Sequence, residues 1–196
     1  MKRLVFIIAV LTTAVAVKGQ TARQWRDSLV VLNSMIERQP HSTDLRLRKA
    51  AINIELEQWE YAVEEYGRVL DIDNRNPAAL YFRAYANVHL RQYMLARADY
   101  ERLLTFLPLH MEARLGLAAV YERMARWRNA ADEYNLLVEM FPDSAVCYAA
   151  RAAFEMTRKQ YELSLFDWEE AVRRSPENPA YRVSLAEVRR KLRRSK

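Results

Sequence analysis

The chain has 196 residues, of which 51% are hydrophobic, and it contains only 3 glycines and 6 prolines. This length suits one ordinary domain, and a composition rich in good helix formers predicts an all-α fold. The single cysteine, Cys147, excludes an internal disulfide, so the fold must be held by packing alone. Residues 20–181 carry 21 basic and 24 acidic side chains, whereas the residues from 182 onward carry seven basic and one acidic. The formal net charge of +6 therefore misrepresents a mildly acidic body with a basic tail.

The N-terminus has the pattern of a secretory signal. Lys2 and Arg3 precede an apolar run of 14 residues, Leu4 to Val17, whereas a helix needs about 20 to span a bilayer. The pattern predicts a signal peptide over residues 1–19, cleaved before Gln20. An uncleaved N-terminal anchor is the alternative. Export without disulfides favours a bacterial envelope protein, located in the periplasm or secreted.

Beyond this segment, one helical sequence pattern of nine residues recurs at an interval of 34 residues. It reads QWEYAVEEY from Gln58, QYMLARADY from Gln92, RWRNAADEY from Arg126 and QYELSLFDW from Gln160. Each copy has an aromatic second residue, a small residue three positions later and an aromatic ring at its end. An alanine register keeps the same interval, at Ala50, Ala84, Ala118, Ala152 and Ala186. Such a period is the signature of a helical repeat architecture.

These registers resemble the tetratricopeptide repeat family. The resemblance implies an all-α, right-handed superhelical solenoid of antiparallel helix pairs. Four full repeats span residues 43–76, 77–110, 111–144 and 145–178. A half-repeat helix within residues 20–42 precedes them, and a capping helix with the basic tail, 179–196, follows. In the capping helix, the residues expected to cover the last repeat are Val183, Leu185, Ala186 and Val188.

The sequence also departs from the family pattern and adds a charge pattern of its own. Alanine replaces the usual first-helix glycine throughout. Asn53, Asn87 and Glu155 stand where the family has a tyrosine, which only Tyr121 keeps. Basic and acidic residues at fixed positions predict structural ion pairs between the two helices of a repeat, namely Lys49–Glu65, Arg83–Asp99 and Arg151–Asp167.

Sequence motifs for catalysis or for metal and phosphate binding are missing. The three histidines are widely spaced in the sequence, and no HExxH, CxxC or glycine-rich phosphate loop is present. Cys147 lacks a neighbouring histidine and is interpreted as a small buried hydrophobe. The chain is therefore expected to be no enzyme and to need no cofactor or metal.

The resemblance implies a binding groove lined by the first helices. Carried over to this sequence, the partner-binding residues are Leu47, Ile54, Tyr81, Tyr85, Val88, His89, Glu122, Arg123 and Met156. Tyr81, Tyr85 and His89 recur every four residues and are expected to form an aromatic ridge, because Tyr93 and Tyr100 supply the packing rings of that repeat. Ordinary helix–helix packing is the alternative explanation of the ridge. The carboxylate clamp of one family subtype is absent, since Leu47 and Ala51 occupy its lysine and asparagine places.

The predicted function is a non-enzymatic interaction scaffold of the bacterial cell envelope that binds a peptide or protein segment in the groove. The alternative is a structural subunit that docks into an envelope complex or onto an anionic membrane through its terminal helices and tail. The tail residues for such a contact are Arg189, Arg190, Lys191, Arg193 and Arg194. No aromatic residues alternate with them, which disfavours nucleic acid. Peripheral membrane contact and homo-oligomer formation stay open.

Overall fold

The computed structural model of the chain describes residues 22–195, which form ten α-helices without a strand. The prediction of an all-α fold with ten helices is confirmed. The predicted signal peptide over residues 1–19 and its cleavage site lie outside the described residues. The helices are α1 (Ala22–Arg38), α2 (Thr43–Glu55), α3 (Trp59–Ile72), α4 (Pro77–His89), α5 (Tyr93–Phe106), α6 (Met111–Arg123), α7 (Trp127–Met140), α8 (Ala145–Thr157), α9 (Tyr161–Arg174) and α10 (Pro179–Ser195).

The helix boundaries repeat with the period of the sequence. From α2 onward, alternate helices begin at residues 43, 77, 111, 145 and 179, and the helices between them begin at 59, 93, 127 and 161. These starts coincide with the predicted repeats. In each complete repeat the first helix packs against the second, as α2 does against α3 and α8 against α9.

The helices divide into two compact units, with α1–α5 in one and α6–α10 in the other. At the start of the first unit, Leu32 of α1 packs against Leu45 and Ile52 of α2. In the second unit, Tyr148, Trp168 and Val188 join α8, α9 and α10 in one apolar core. Each unit therefore has hydrophobic contacts of its own.

Small residues allow the helices of a repeat to approach closely. The first-helix alanines Ala50, Ala84, Ala118 and Ala152 are all fully buried, as are their second-helix counterparts Ala62, Ala96, Ala130 and Ser164. In the last repeat, the Ser164 hydroxyl donates a 2.8 Å hydrogen bond to the Ala152 carbonyl. That bond spans the two helices, and it shows how little space separates them.

The last helix covers its neighbour with fewer residues than the sequence predicted. Leu185 and Val188 are buried against α9, but Val183 is 66% exposed and Ala186 is also exposed. The prediction was therefore wrong for Val183 and Ala186. Among the described residues no second helix follows α10, so the face that carries Ala186 lacks the partner that buries this register elsewhere.

The predicted inter-helix ion pairs are present in all three repeats. Arg83 binds Asp99 through two hydrogen bonds of 2.8 and 2.6 Å, and Arg151 binds Asp167 in the same way at 2.6 and 2.8 Å. Lys49 lies 2.8 Å from Glu65. A paired guanidinium of this kind accounts for a carboxylate such as Asp167, which is only 1% exposed.

The glutamates of the first and third repeats pair with an arginine that the sequence analysis missed, in the first repeat in addition to Lys49. Arg46 donates to Glu65 and Arg114 donates to Glu133, at 2.9 and 2.7 Å. Both arginines also donate to the carbonyl of the proline six residues earlier, Pro40 and Pro108. These arginines stand three residues before the position that Arg83 and Arg151 occupy, and their partner is the longer glutamate instead of aspartate.

The turn between the two helices of each repeat has a left-handed residue that is not glycine. In the first repeat, Glu57 donates its backbone N–H to Ile54 and Gln58 donates to Asn53, which together form a Schellman motif. The residues with φ between 55° and 61° are Glu57, Arg91, Ala125 and Lys159, again 34 apart. Each therefore has the backbone strain of an L-residue in the left-handed region.

Replacing Ala125 by glycine is expected to stabilise the protein. Relief of left-handed strain contributes ~1–2 kcal/mol, whereas the greater freedom of glycine in the unfolded chain removes ~0.4–1 kcal/mol. We expect the free energy of unfolding in urea to rise by ~0.5–1 kcal/mol for Ala125→Gly. The matched control is Ala153→Gly, an exposed position inside α8, which should lose ~0.5–1 kcal/mol. Equal destabilisation by both variants would contradict the role of the turn.

Candidate functional site

In the first unit, the predicted groove residues lie on α2 and α4, the first helices of their repeats, and we call this surface the first-helix face. Its residues differ in exposure. His89 at the end of α4 is exposed, whereas Leu47 of α2 and Val88 of α4 are half-buried. Ile54, Tyr81 and Tyr85 are buried, with exposed fractions of 6%, 7% and 8%. The face is therefore mainly apolar and rests on rings that are part of the fold.

The expectation that Tyr81 and Tyr85 are spared from packing was wrong. The Tyr81 ring packs edge-on against Phe82 and Tyr100, with centroid distances of 5.0 and 5.9 Å. The Tyr85 ring packs edge-on against Trp59 at 6.0 Å. Because large rings fill the space between helices in this unit, these tyrosines support the face from below, and their replacement by alanine would remove core packing.

An aromatic cluster forms where α4 ends beside the start of α3. The His89 imidazole stacks on the Trp59 indole, with a centroid distance of 3.9 Å and an interplanar angle of 9°. Tyr85 contacts the same imidazole edge-on at 4.7 Å. Sequence reasoning found Tyr85 and His89 but treated Trp59 only as a marker of the repeat. The signal that could have found it is the tryptophan itself, since two of the other second helices begin with tyrosine.

Two carboxylates influence this cluster. Burial raises the pKa of the Tyr85 phenol, and the negative charges of Glu55 and Glu57 raise it further. Burial lowers the pKa of the His89 imidazole below its usual value, and the charge of Glu57 partly opposes this shift. The imidazole is therefore neutral at neutral pH.

In the second unit, some of the predicted groove residues pack in the core or form hydrogen bonds within the chain. Glu122 is half-buried and accepts a hydrogen bond from the Tyr134 hydroxyl. Met156 is half-buried against the core shared by α8, α9 and α10. Arg123 is exposed. This face offers fewer aromatic groups than the face of the first unit.

A tryptophan equivalent to Trp59 occurs in the second unit and already has a cation on its ring. Trp127 begins α7, and the Arg158 guanidinium lies 4.5 Å from the centroid of its indole. In the first unit, the residue in the place of Arg158 is Leu90, which caps α4. The equivalent tryptophan rings are thus covered by a guanidinium in one unit and by an imidazole in the other, from adjacent positions of the repeat.

The basic tail residues of α10 are exposed, and one of them has an internal partner. Arg189 donates to Glu169 at 2.9 Å. Among the described residues, Arg190, Lys191, Arg193 and Arg194 have no ion pair. The tail therefore presents four charges to its surroundings.

Glu155 is a buried carboxyl group beside a second buried carboxyl group. It is 8% exposed, and its Oε2 has no hydrogen-bond partner among the described residues. Burial, followed by the negative charge of Asp167, raises its pKa to about 7, and Arg151 opposes the shift. Asn53 and Asn87 fill the same position in earlier repeats, where they are also buried.

Residues 22–195 carry few other groups that could bind a metal, span a membrane or react. No group of three or more histidine, cysteine or acidic side chains there is arranged to hold a metal ion. None of the helices in this part of the chain has the length and apolar character needed to cross a membrane. Cys147 is buried, which raises the pKa of its thiol, and it lies 3.6 Å from the Met111 sulfur.

Helix pairs that recur every 34 residues, with an apolar and aromatic face on the first helices, define a helical repeat protein of the interaction class. Residues 112–144 match the family model of the tetratricopeptide repeat. The described helices thus have the fold of tetratricopeptide repeat proteins, which are protein–protein interaction scaffolds that bind peptide or protein partners.

Known proteins agree with this assignment. The human peptidyl-prolyl cis-trans isomerase FKBP4 is 30% identical over 95 residues, which cover 48% of this chain but only 20% of the human protein. The structure of MamA has a TM-score of 0.72 at 14% identity, with 79% of this chain and 91% of MamA covered. The structure of YrrB, described as a tetratricopeptide protein with an unusual peptide-binding site, has a TM-score of 0.69 at 14% identity, with 86% and 84% covered. Both structures share the fold.

Glu155 is expected to make stability depend on pH. Its pKa is raised on folding from 4.5 to about 7, so the folded chain holds this proton more tightly than the unfolded chain. The contribution is fully present below pH 4.5 and is lost as the pH rises towards 7. We expect Glu155→Gln to exceed the parent in free energy of unfolding by ~1–3 kcal/mol at pH 8 and to approach it at pH 4.5.

Urea denaturation of both proteins across this range measures the effect. Glu139→Gln removes an exposed carboxylate of α7 and serves as the control. A difference between Glu155→Gln and the parent that stays constant from pH 4.5 to 8 would show that Glu155 titrates alike in the folded and unfolded chains.

Proposed function

We propose that the chain is a non-enzymatic interaction scaffold of the bacterial cell envelope, which binds a peptide or protein segment on its first-helix face. The observation that carries the proposal is the face of the first unit. There Leu47, Val88, Trp59 and His89 are open to solvent in part, above the buried rings of Tyr81 and Tyr85. Rigid, partly exposed aromatic groups over a packed base are well suited to anchor a ligand.

The comparisons support peptide binding as a capacity of this fold. YrrB is described by its peptide-binding site, and its fold matches that of this chain. The matched part of FKBP4 is a fifth of that protein, so its isomerase activity gives no support for catalysis by this chain. A scaffold needs no reacting group, which accords with the side chains of the face.

A photo-crosslinking amino acid placed on each side of the first unit tests the binding face. Ala51 lies on α2 at a predicted groove position, and Ala98 lies on α5; both are exposed alanines inside helices. We expect crosslinked products in intact cells from position 51 and little product from position 98. Products formed equally from both positions, or from position 98 alone, would contradict the proposed face.

The envelope location rests on the apolar run between Leu4 and Val17 and on the basic residues before it. We expect the protein from the periplasmic fraction to begin at Gln20 when its intact mass is measured. A full-length product confined to the cytoplasm would contradict both export and cleavage.

A second function, docking into an envelope complex or onto an anionic membrane, is favoured by the unpaired charges of α10. The variant that replaces Arg190, Lys191, Arg193 and Arg194 by glutamine separates the two functions. A scaffold that binds through its first-helix face keeps its crosslinks from position 51, whereas a docking subunit loses association with its complex or membrane.

A further inference from the structure

We propose that the aromatic cluster of Trp59, Tyr85 and His89, together with Glu55 and Glu57, recognises a cationic side chain of the bound segment, an arginine or a lysine. This inference rests on the proposed function, because it names the chemistry of the ligand for the same face. It follows from the arrangement of the rings and from the charges that surround them.

The rings provide the surface that a cation prefers. The Trp59 indole and the His89 imidazole are stacked in parallel at 3.9 Å, and Tyr85 closes one side of the imidazole at 4.7 Å. Tyr85 is buried, so the cluster is fixed from below, while His89 is exposed. The Trp59 indole is half-buried, so part of it is open to solvent, and a guanidinium that stacks on the open part of the ring face is attracted by the π-electrons.

The charges point to the same class of ligand. Glu55 and Glu57 are exposed and have no ion pair among the described residues. The negative charges of both carboxylates raise the pKa of the Tyr85 phenol, and the charge of Glu57 raises that of the His89 imidazole. Two uncompensated negative charges beside an aromatic cluster attract a positive group and repel a carboxylate. This site therefore differs in sign from a clamp for acidic chain ends.

The equivalent tryptophan of the second unit binds a guanidinium within the chain itself. In the second unit, Arg158 covers the Trp127 ring at 4.5 Å. In the first unit, Leu90 replaces that arginine and the neutral His89 occupies the ring instead. The first unit thus keeps the tryptophan and lacks the internal cation, which a ligand would supply.

A peptide panel tests the inference. The full chain is titrated with fluorescein-labelled nonapeptides that have degenerate apolar flanks and a central arginine, lysine, citrulline or glutamate. Citrulline has the shape of arginine without its charge. We expect the arginine and lysine pools to bind about tenfold more tightly than the citrulline pool in fluorescence polarisation.

Two double variants identify the source of the preference. Glu55→Gln with Glu57→Gln should abolish the preference for arginine over citrulline. Glu60→Gln with Asp71→Asn changes the net charge equally on exposed positions of α3 and should keep the preference. Equal binding of the arginine and citrulline pools, or an equal loss in both double variants, would overturn cation recognition and leave peptide binding intact. Failure of all four pools to bind would overturn peptide binding itself.

Discussion

The close contact between two small residues in each helix pair determines the position of almost everything else. Ala50 and Ala62 are both fully buried in the first repeat, and in the last repeat the Ser164 hydroxyl donates to the Ala152 carbonyl across the two helices. Because no side chain separates the backbones there, the larger residues are displaced to either side of the contact. The first-helix face inherits its shape from this contact.

The ion pairs show how one requirement is met by two local solutions. A buried acid on the second helix needs a cation, since an unpaired charge in this position would be costly. An aspartate pairs with an arginine on the same level, as with Arg83 and Asp99, whereas the longer glutamate also reaches an arginine one turn back, as with Arg46 and Glu65. Arginines of the second kind also bind a proline carbonyl, which links the pair to the turn between repeats.

The sequence was sufficient to predict the helices and their 34-residue period, because the alanine and aromatic registers mark the positions that pack between helices. It was insufficient to predict which side chains of the first-helix face are exposed. Tyr81 and Tyr85 fit the spacing of exposed ridge residues, yet neighbouring rings bury them, and that depends on contacts between helices far apart in sequence. Trp59 joins the face from the second helix for the same reason. The second-unit pair Arg114–Glu133 escaped notice because its positions are offset from the pattern of the other repeats.

In the left-handed turns the backbone maintains the fold, while the side chain stays available for contact with a ligand. Their geometry comes from backbone hydrogen bonds, so glutamate, arginine, alanine and lysine all occupy the same conformation at residues 57, 91, 125 and 159. A side chain at this place contributes little to the core and is exposed beside the helix ends. Its charge is consequently free to diverge between repeats at nearly constant stability. A surface of this kind lets a repeat protein acquire a new ligand by changing one exposed residue while its architecture is inherited unaltered.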